Sequence, residues 1–125
     1  MSLETPLHKV GGLGSAHSGV GHFMRQRITA IALIPLTVWF AVSALGLIGA
    51  KEVSELIFLS NPLNAVLLGT FILISLYHLA MGLREVVVDY VPHEGFKLFL
   101  MLLNYGFAIA VAAACLFALA RISIV

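Results

Sequence analysis

Apolar residues in this chain do not recur every three or four positions, as they do on a surface helix. They fill three continuous stretches, 28–49, 63–83 and 98–120. Inside these stretches the ionisable side chains are Tyr77, His78, Tyr105 and Cys115. Each stretch has the ~20 residues with which a helix crosses a hydrocarbon core of ~30 Å. Backbone groups find no water in lipid, so three such runs without alternating ten-residue strands must satisfy themselves as helices. The pattern predicts an all-α membrane protein with transmembrane helices at about 28–49, 63–90 and 98–120. All three belong to a single membrane domain, 1–125, with residues 1–27 as an N-terminal segment outside the bilayer.

The connections agree with this division. Residues 50–62, AKEVSELIFLSNP, carry charges and end in Asn61 and Pro62, which disfavour helix and restart the chain just before the second span. Residues 84–97, REVVVDYVPHEGFK, contain Pro92 and Gly95, so the second helix runs past its apolar part and stops near Tyr90 or Val91. Pro35 frees the carbonyl of Ile31 inside the first span and is expected to kink it. The first 27 residues are polar and glycine-rich with no apolar region of their own, which predicts a retained first span rather than a cleaved signal. Residues 1 to about 15 are expected to be weakly ordered unless a partner holds them.

Composition narrows the class. With 61% apolar and 10% charged residues the balance is not that of a soluble protein. A net charge of +1 offers no broad basic surface for nucleic acid. Cys115 is the single cysteine, which excludes an internal disulfide and any cysteine cluster for zinc or iron–sulfur. There is no glycine-rich phosphate loop, dinucleotide fingerprint or paired nucleophile and base, so any redox chemistry is shared with other chains. The placement of charge says more than its sum. With three spans the N-terminus and the second loop lie on one side, with Lys9, Arg25, Arg27, Arg84 and Lys97 there against Lys51 and Arg121 opposite. The positive-inside rule assigns the richer side to the cytoplasm, or to an organelle matrix.

His78 is the sharpest chemical signal, because an ionisable group inside a span is costly and is usually kept for a pathway, a ligand or a partner. A neutral imidazole can ligate haem iron through one nitrogen while the other is tied to an acceptor, and Gly82, one turn on, leaves room for a macrocycle. The same histidine can equally be hydrogen-bonded to a neighbouring helix, and the residues alone leave both readings open. At 100° per residue Phe71, Ser75, His78, Gly82, Glu85 and Asp89 fall on one face within about 60° of His78. Asp89 is about 16 Å further along the axis at 1.5 Å per residue, a stacking that suits two redox groups exchanging an electron; Glu85 and Asp89 also read as ordinary interfacial charges. Tyr90 can donate a hydrogen bond to a ligand carbonyl or serve as an aromatic-belt anchor. Arg25 and Arg27, near His17 and His22, can bind propionate or phosphate oxygens, or act only in topology and snorkelling. The small residues of FAIAVAAACLFALA fit close helix packing and name no chemistry.

Two motifs carry a resemblance. HLAMGLREVVVDYVP, with His78, Gly82, Asp89 and Tyr90, resembles the second-helix signature of the small membrane anchor subunits of succinate dehydrogenase, respiratory complex II. SGVGHFMRQRITAIALIPLTVWF, with Ser18, Gly19, His22, Gln26, Arg27, Thr29, Ala30, Pro35 and Trp39, is similar to the start of that family's first helix. The chain departs from many relatives in having Phe23 and Met24 where they have two tryptophans.

The resemblance implies a chain that packs with a second, cytochrome b556-type three-helix anchor and holds an iron–sulfur subunit and a flavoprotein subunit on the membrane. FAD and iron–sulfur clusters would reside in those partners, and electrons from succinate would pass through them to ubiquinone. By the match His78 is an axial ligand of haem b, the other ligand coming from the partner anchor. Tyr90 would bond a quinone carbonyl with Asp89 beside it, and Arg27 would lie near the haem propionates. The implied location is a bacterial inner membrane with the N-terminus cytoplasmic, or the mitochondrial inner membrane. The alternatives are the anchor of a quinol:fumarate reductase and a haem-free structural or assembly protein.

Overall fold

Each apolar run winds into one long helix, and each helix is longer than its run. The computed structural model describes residues 5–7 and 18–124. Lys9 and His17, and most of the segment expected to be weakly ordered, lie outside the described residues. The elements are α1 (Ser18–Leu47), α2 (Glu52–Ser60), α3 (Pro62–Tyr90) and α4 (Glu94–Ile124), with no strand among the described residues. Helices α1, α3 and α4 have 30, 29 and 31 residues and are long and apolar enough to cross a membrane. At 1.5 Å per residue each is about 45 Å long, well beyond a ~30 Å hydrocarbon core. The architecture is therefore an all-helical, multi-pass membrane protein whose helix ends project beyond the lipid.

Local chemistry sets the ends. Gly49, with φ of 77°, terminates α1 in the left-handed conformation that glycine adopts without steric cost. Asn61 caps α3 by accepting a hydrogen bond from the Leu63 amide at 2.9 Å, and Pro62 occupies the first turn, where its missing N–H costs nothing. At the other end the Val91 amide donates to Val87 O at 3.1 Å, and Pro92 forbids continuation. α4 begins at Glu94, before its apolar run, because His93 Nδ1 accepts from the Phe96 amide at 3.1 Å and Lys97 pairs with Glu94 at 3.0 Å. α1 likewise starts at Ser18, ahead of its apolar run, and continues through Pro35.

The second difference from the sequence expectation is α2, which forms within the charged connection 50–62. Glu52 and Glu55 sit in its first turn, where the helix dipole favours negative charge. Its inner face is anchored: Phe58 stacks on Trp39 with centroids 6.2 Å apart, and Leu59 O accepts from Ser123 Oγ at 3.3 Å. Val53, Leu56 and Ile57 point outward.

α3 is the central element, packed against α1 on one side and α4 on the other, while α2 packs on α3 and α4. Asn104 Nδ2 donates to Ala80 O at 2.8 Å and ties α4 to the middle of α3. Ala80 and Met81, each 6% exposed, are the buried apolar side chains among the described residues.

Candidate functional site

α1 and α3 run in opposite directions, so successive turns of one meet successive turns of the other. Phe40 stacks on Phe71 with centroids 4.9 Å apart. One after another towards the start of α1, Thr29 meets His78, Gln26 lies against Gly82, and His22 meets Glu85. The polar stripe of α3 thus faces α1 rather than open lipid.

Within this seam His78 is half-buried, and its Nδ1 lies 2.9 Å from Thr29 Oγ1. The same hydroxyl is 2.8 Å from Arg25 O and 3.0 Å from Gln26 O. When the hydroxyl proton goes to one of these carbonyls, the usual back-bond of a helical threonine, the oxygen lone pair receives a proton from Nδ1. In that arrangement His78 is the Nδ1–H tautomer. Nε2 keeps its lone pair and has no hydrogen-bond partner among the described residues. An imidazole held in this way is set up to ligate one metal centre through Nε2. Among the described residues no group of three or more His, Cys, Asp or Glu is placed to hold a metal ion.

One turn beyond, a Cβ on Gly82 would meet Gln26 Nε2 at 3.6 Å, an ordinary contact, so the space left by this glycine adjoins the Gln26 amide. Gln26 Oε1 is buried with no hydrogen-bond partner. Such a buried orphaned acceptor is the kind of group that an ordered water satisfies.

A cluster that the sequence did not assemble lies at the next turn. His22 Nε2 is 2.7 Å from Glu85 Oε1, an ion-pair distance without hydrogen-bond alignment, and Arg84 Nη1 is 3.3 Å from His22 Nδ1 and 3.5 Å from Glu85 Oε1. Arginine cannot accept, so His22 Nδ1 does, which leaves the His22 proton on Nε2. Glu85 lies on the stripe and His22 near the first span, but the contact of Arg84 with His22 bridges 62 positions and has no local signature.

Asp89 and Tyr90 end α3 beyond this cluster. Both are exposed, Tyr90 at 80%, and neither makes a hydrogen bond or ion pair among the described residues. Arg27 is also exposed, its guanidinium carbon 5.0 Å from the centroid of the Phe23 ring. The structure brings His78 to Thr29, while Tyr90, Asp89 and Arg27 stand apart from it with faces open to other molecules.

A family model described as succinate dehydrogenase/fumarate reductase transmembrane subunit matches residues 1–120. The chain belongs to this family. It is 31% identical over 124 residues to the succinate dehydrogenase hydrophobic membrane anchor subunit of Paracoccus denitrificans, covering 99% of this chain and 95% of that one. The protein of the same name from Rickettsia conorii is 33% identical over 118 residues, 94% of each chain. No solved structure matches the chain. In this member of the succinate dehydrogenase/fumarate reductase transmembrane family the seam holds one imidazole nitrogen without a partner and one orphaned amide oxygen, and the end of α3 beyond it presents an open Asp-Tyr pair. None of these completes a site on its own.

Proposed function

We propose that this chain is the hydrophobic membrane anchor of a succinate:quinone oxidoreductase, in which His78 is one axial ligand of haem b and Tyr90 with Asp89 contributes to the ubiquinone-reduction site. The observation that carries the reading is the contact of His78 Nδ1 with Thr29 Oγ1, which leaves Nε2 without a partner among the described residues. The family takes in subunits of both succinate dehydrogenase and fumarate reductase, and the name of the two relatives favours succinate oxidation.

Haem b, when bound, supplies a one-electron carrier whose potential follows its axial ligands and their hydrogen bonds. The chain's own residues do the rest. Thr29 orients His78, which would give one nitrogen to the haem iron, and a second, cytochrome b556-type anchor would give the other protein ligand. Arg27, held over Phe23, presents its guanidinium to propionate oxygens. At the end of α3 the Tyr90 phenol donates to a quinone carbonyl, and Asp89 beside it holds or relays a proton. FAD and the iron–sulfur clusters belong to the flavoprotein and iron–sulfur subunits that this anchor holds. The excess of basic residues on the side of the N-terminus and of Tyr90 supports a cytoplasmic N-terminus in an inner membrane.

The test uses the intact purified complex. His78→Ala is expected to lose the b-type band of the reduced-minus-oxidised spectrum. Tyr90→Phe is expected to lower succinate-driven quinone reduction about tenfold, the equivalent of ~1.4 kcal/mol in the barrier, while succinate oxidation by an artificial soluble acceptor is unchanged. An unaltered band in the first variant removes the haem assignment. Equal loss of both activities in the second, or loss of neither, removes the quinone assignment.

A further inference from the structure

On the other side of α3, away from His78, a groove of about 450 Å³ opens between α3 and α4 and reaches α1 at one end. Arg25, from α1, and Arg84, from α3, line that end together with His22. Deeper in, Tyr77 and Tyr105 flank it, and the walls become apolar towards Leu73 and Ala112. We propose that this groove holds one anionic phospholipid, its headgroup phosphate on the two guanidiniums and one acyl chain along α3 and α4.

Three observations favour this occupant. The first is charge: two arginines from different helices line one mouth, and planar guanidinium forks match phosphate oxygens. Arg25 uses only Nε, donating to Gly21 O at 3.3 Å, so its terminal nitrogens are unspent. Arg84 makes its contacts to His22 and Glu85 through Nη1, which leaves its other donors. Glu85 touches His22 and Arg84 but does not line the groove; it neutralises one of the two cations and leaves the mouth positive. A quinone ring, uncharged and accepting only through carbonyls, makes poor use of such a pair. The second is length: Arg84 and Leu73 are eleven residues apart, about 16 Å along the helix axis. That is roughly half of a ~30 Å hydrocarbon core, or one leaflet. The third is shape: Ala108 and Ala112, one turn apart on α4, keep the lower groove open for a hydrocarbon chain. The inference does not depend on what His78 binds.

The test is lipid exchange into the intact complex, with bound lipid counted by native mass spectrometry. Complexes carrying the native chain, Arg25→Gln/Arg84→Gln or Ala108→Phe are equilibrated with mixed micelles containing phosphatidylglycerol or phosphatidylcholine. The native complex is expected to retain one phosphatidylglycerol per chain and at least tenfold less phosphatidylcholine. The double variant should lose this preference. Ala108→Phe, which blocks the chain path and spares both arginines, should lower retention of the same lipid. Assembly of each variant complex, checked by its size and subunit content, separates lost binding from lost folding. The proposal is overturned if both lipids are held equally, if the double variant retains phosphatidylglycerol as the native chain does, or if excess inorganic phosphate displaces the lipid and binds equally to Ala108→Phe. It is also overturned if a partner polypeptide crosslinks into the groove from the Arg84 side and no lipid is retained.

Discussion

An imidazole has two nitrogens, and at His78 they can answer two different questions. The reading of this residue as a histidine bonded to a neighbouring helix and its reading as a metal ligand are compatible, because Thr29 engages Nδ1 and leaves Nε2. The threonine hydroxyl also contacts the Arg25 and Gln26 carbonyls, and a proton given to either leaves its oxygen to accept from Nδ1. Removing that acceptor tests the arrangement with little change of volume. Thr29→Val should weaken retention of haem on extended washing by 10–100-fold, the usual effect of losing the hydrogen bond behind a ligating histidine. It should also raise the midpoint potential, since a less basic imidazole stabilises the oxidised metal less. Thr29→Ser, which keeps the oxygen, should restore both. Haem content and potential in Thr29→Val identical to the native complex would mean that the bond to Thr29 only joins two helices.

At the scale of the helices, the seam between α1 and α3 depends on how closely their backbones approach at Gly82. A methyl group there would make an ordinary 3.6 Å contact with Gln26, so Gly82→Ala is expected to leave the melting temperature of the complex nearly unchanged. Gly82→Leu must displace Gln26 and should destabilise by about 1–3 kcal/mol, the usual cost of overpacking. Thermal unfolding of the purified complexes would show the contrast, and equal behaviour of the two variants would mean that the helices are not in close contact here. The sequence made part of this legible. Long apolar runs declare the spanning helices, and Asn61, Pro62 and Pro92 bracket α3 by local chemistry alone. Helical periodicity aligned Phe71, His78, Gly82 and Glu85. What periodicity lacks is direction: it says that these residues share a face, and only packing says that the face meets α1. α2 escaped notice because nine residues between charges are too few for a clear pattern, and their order comes from Trp39 and Ser123, far away in the chain. The contact of His22 with Arg84 and Glu85 is hidden for the same reason.

The molecule as a whole is turned outward. Ile31, Ile34, Val38, Val42 and Leu45 form an exposed apolar stripe along α1, and Leu102, Ile109 and Phe117 are exposed on α4. Two side chains as small a core as Ala80 and Met81 cannot hold three 45 Å helices together in water; lipid and neighbouring subunits must cover the stripes. Orientation then follows from charge, because helices longer than the hydrocarbon core leave polar turns on both sides. Arg25, Arg27, Arg84 and Lys97 lie at the end shared by the start of α1, the end of α3 and the start of α4, against Lys51 and Arg121 at the other. The bias predicts that Glu94 faces the cytoplasm and Glu52 the opposite side. In a Cys115→Ala background, a membrane-impermeant maleimide added to spheroplasts should label Glu52→Cys and spare Glu94→Cys, and inverted membrane vesicles should give the reverse. Labelling of Glu94→Cys from outside would invert the topology. Arg27, Asp89 and Tyr90 would then face away from the cytoplasm, and a quinone site fed there by a cytoplasmic iron–sulfur subunit would be untenable.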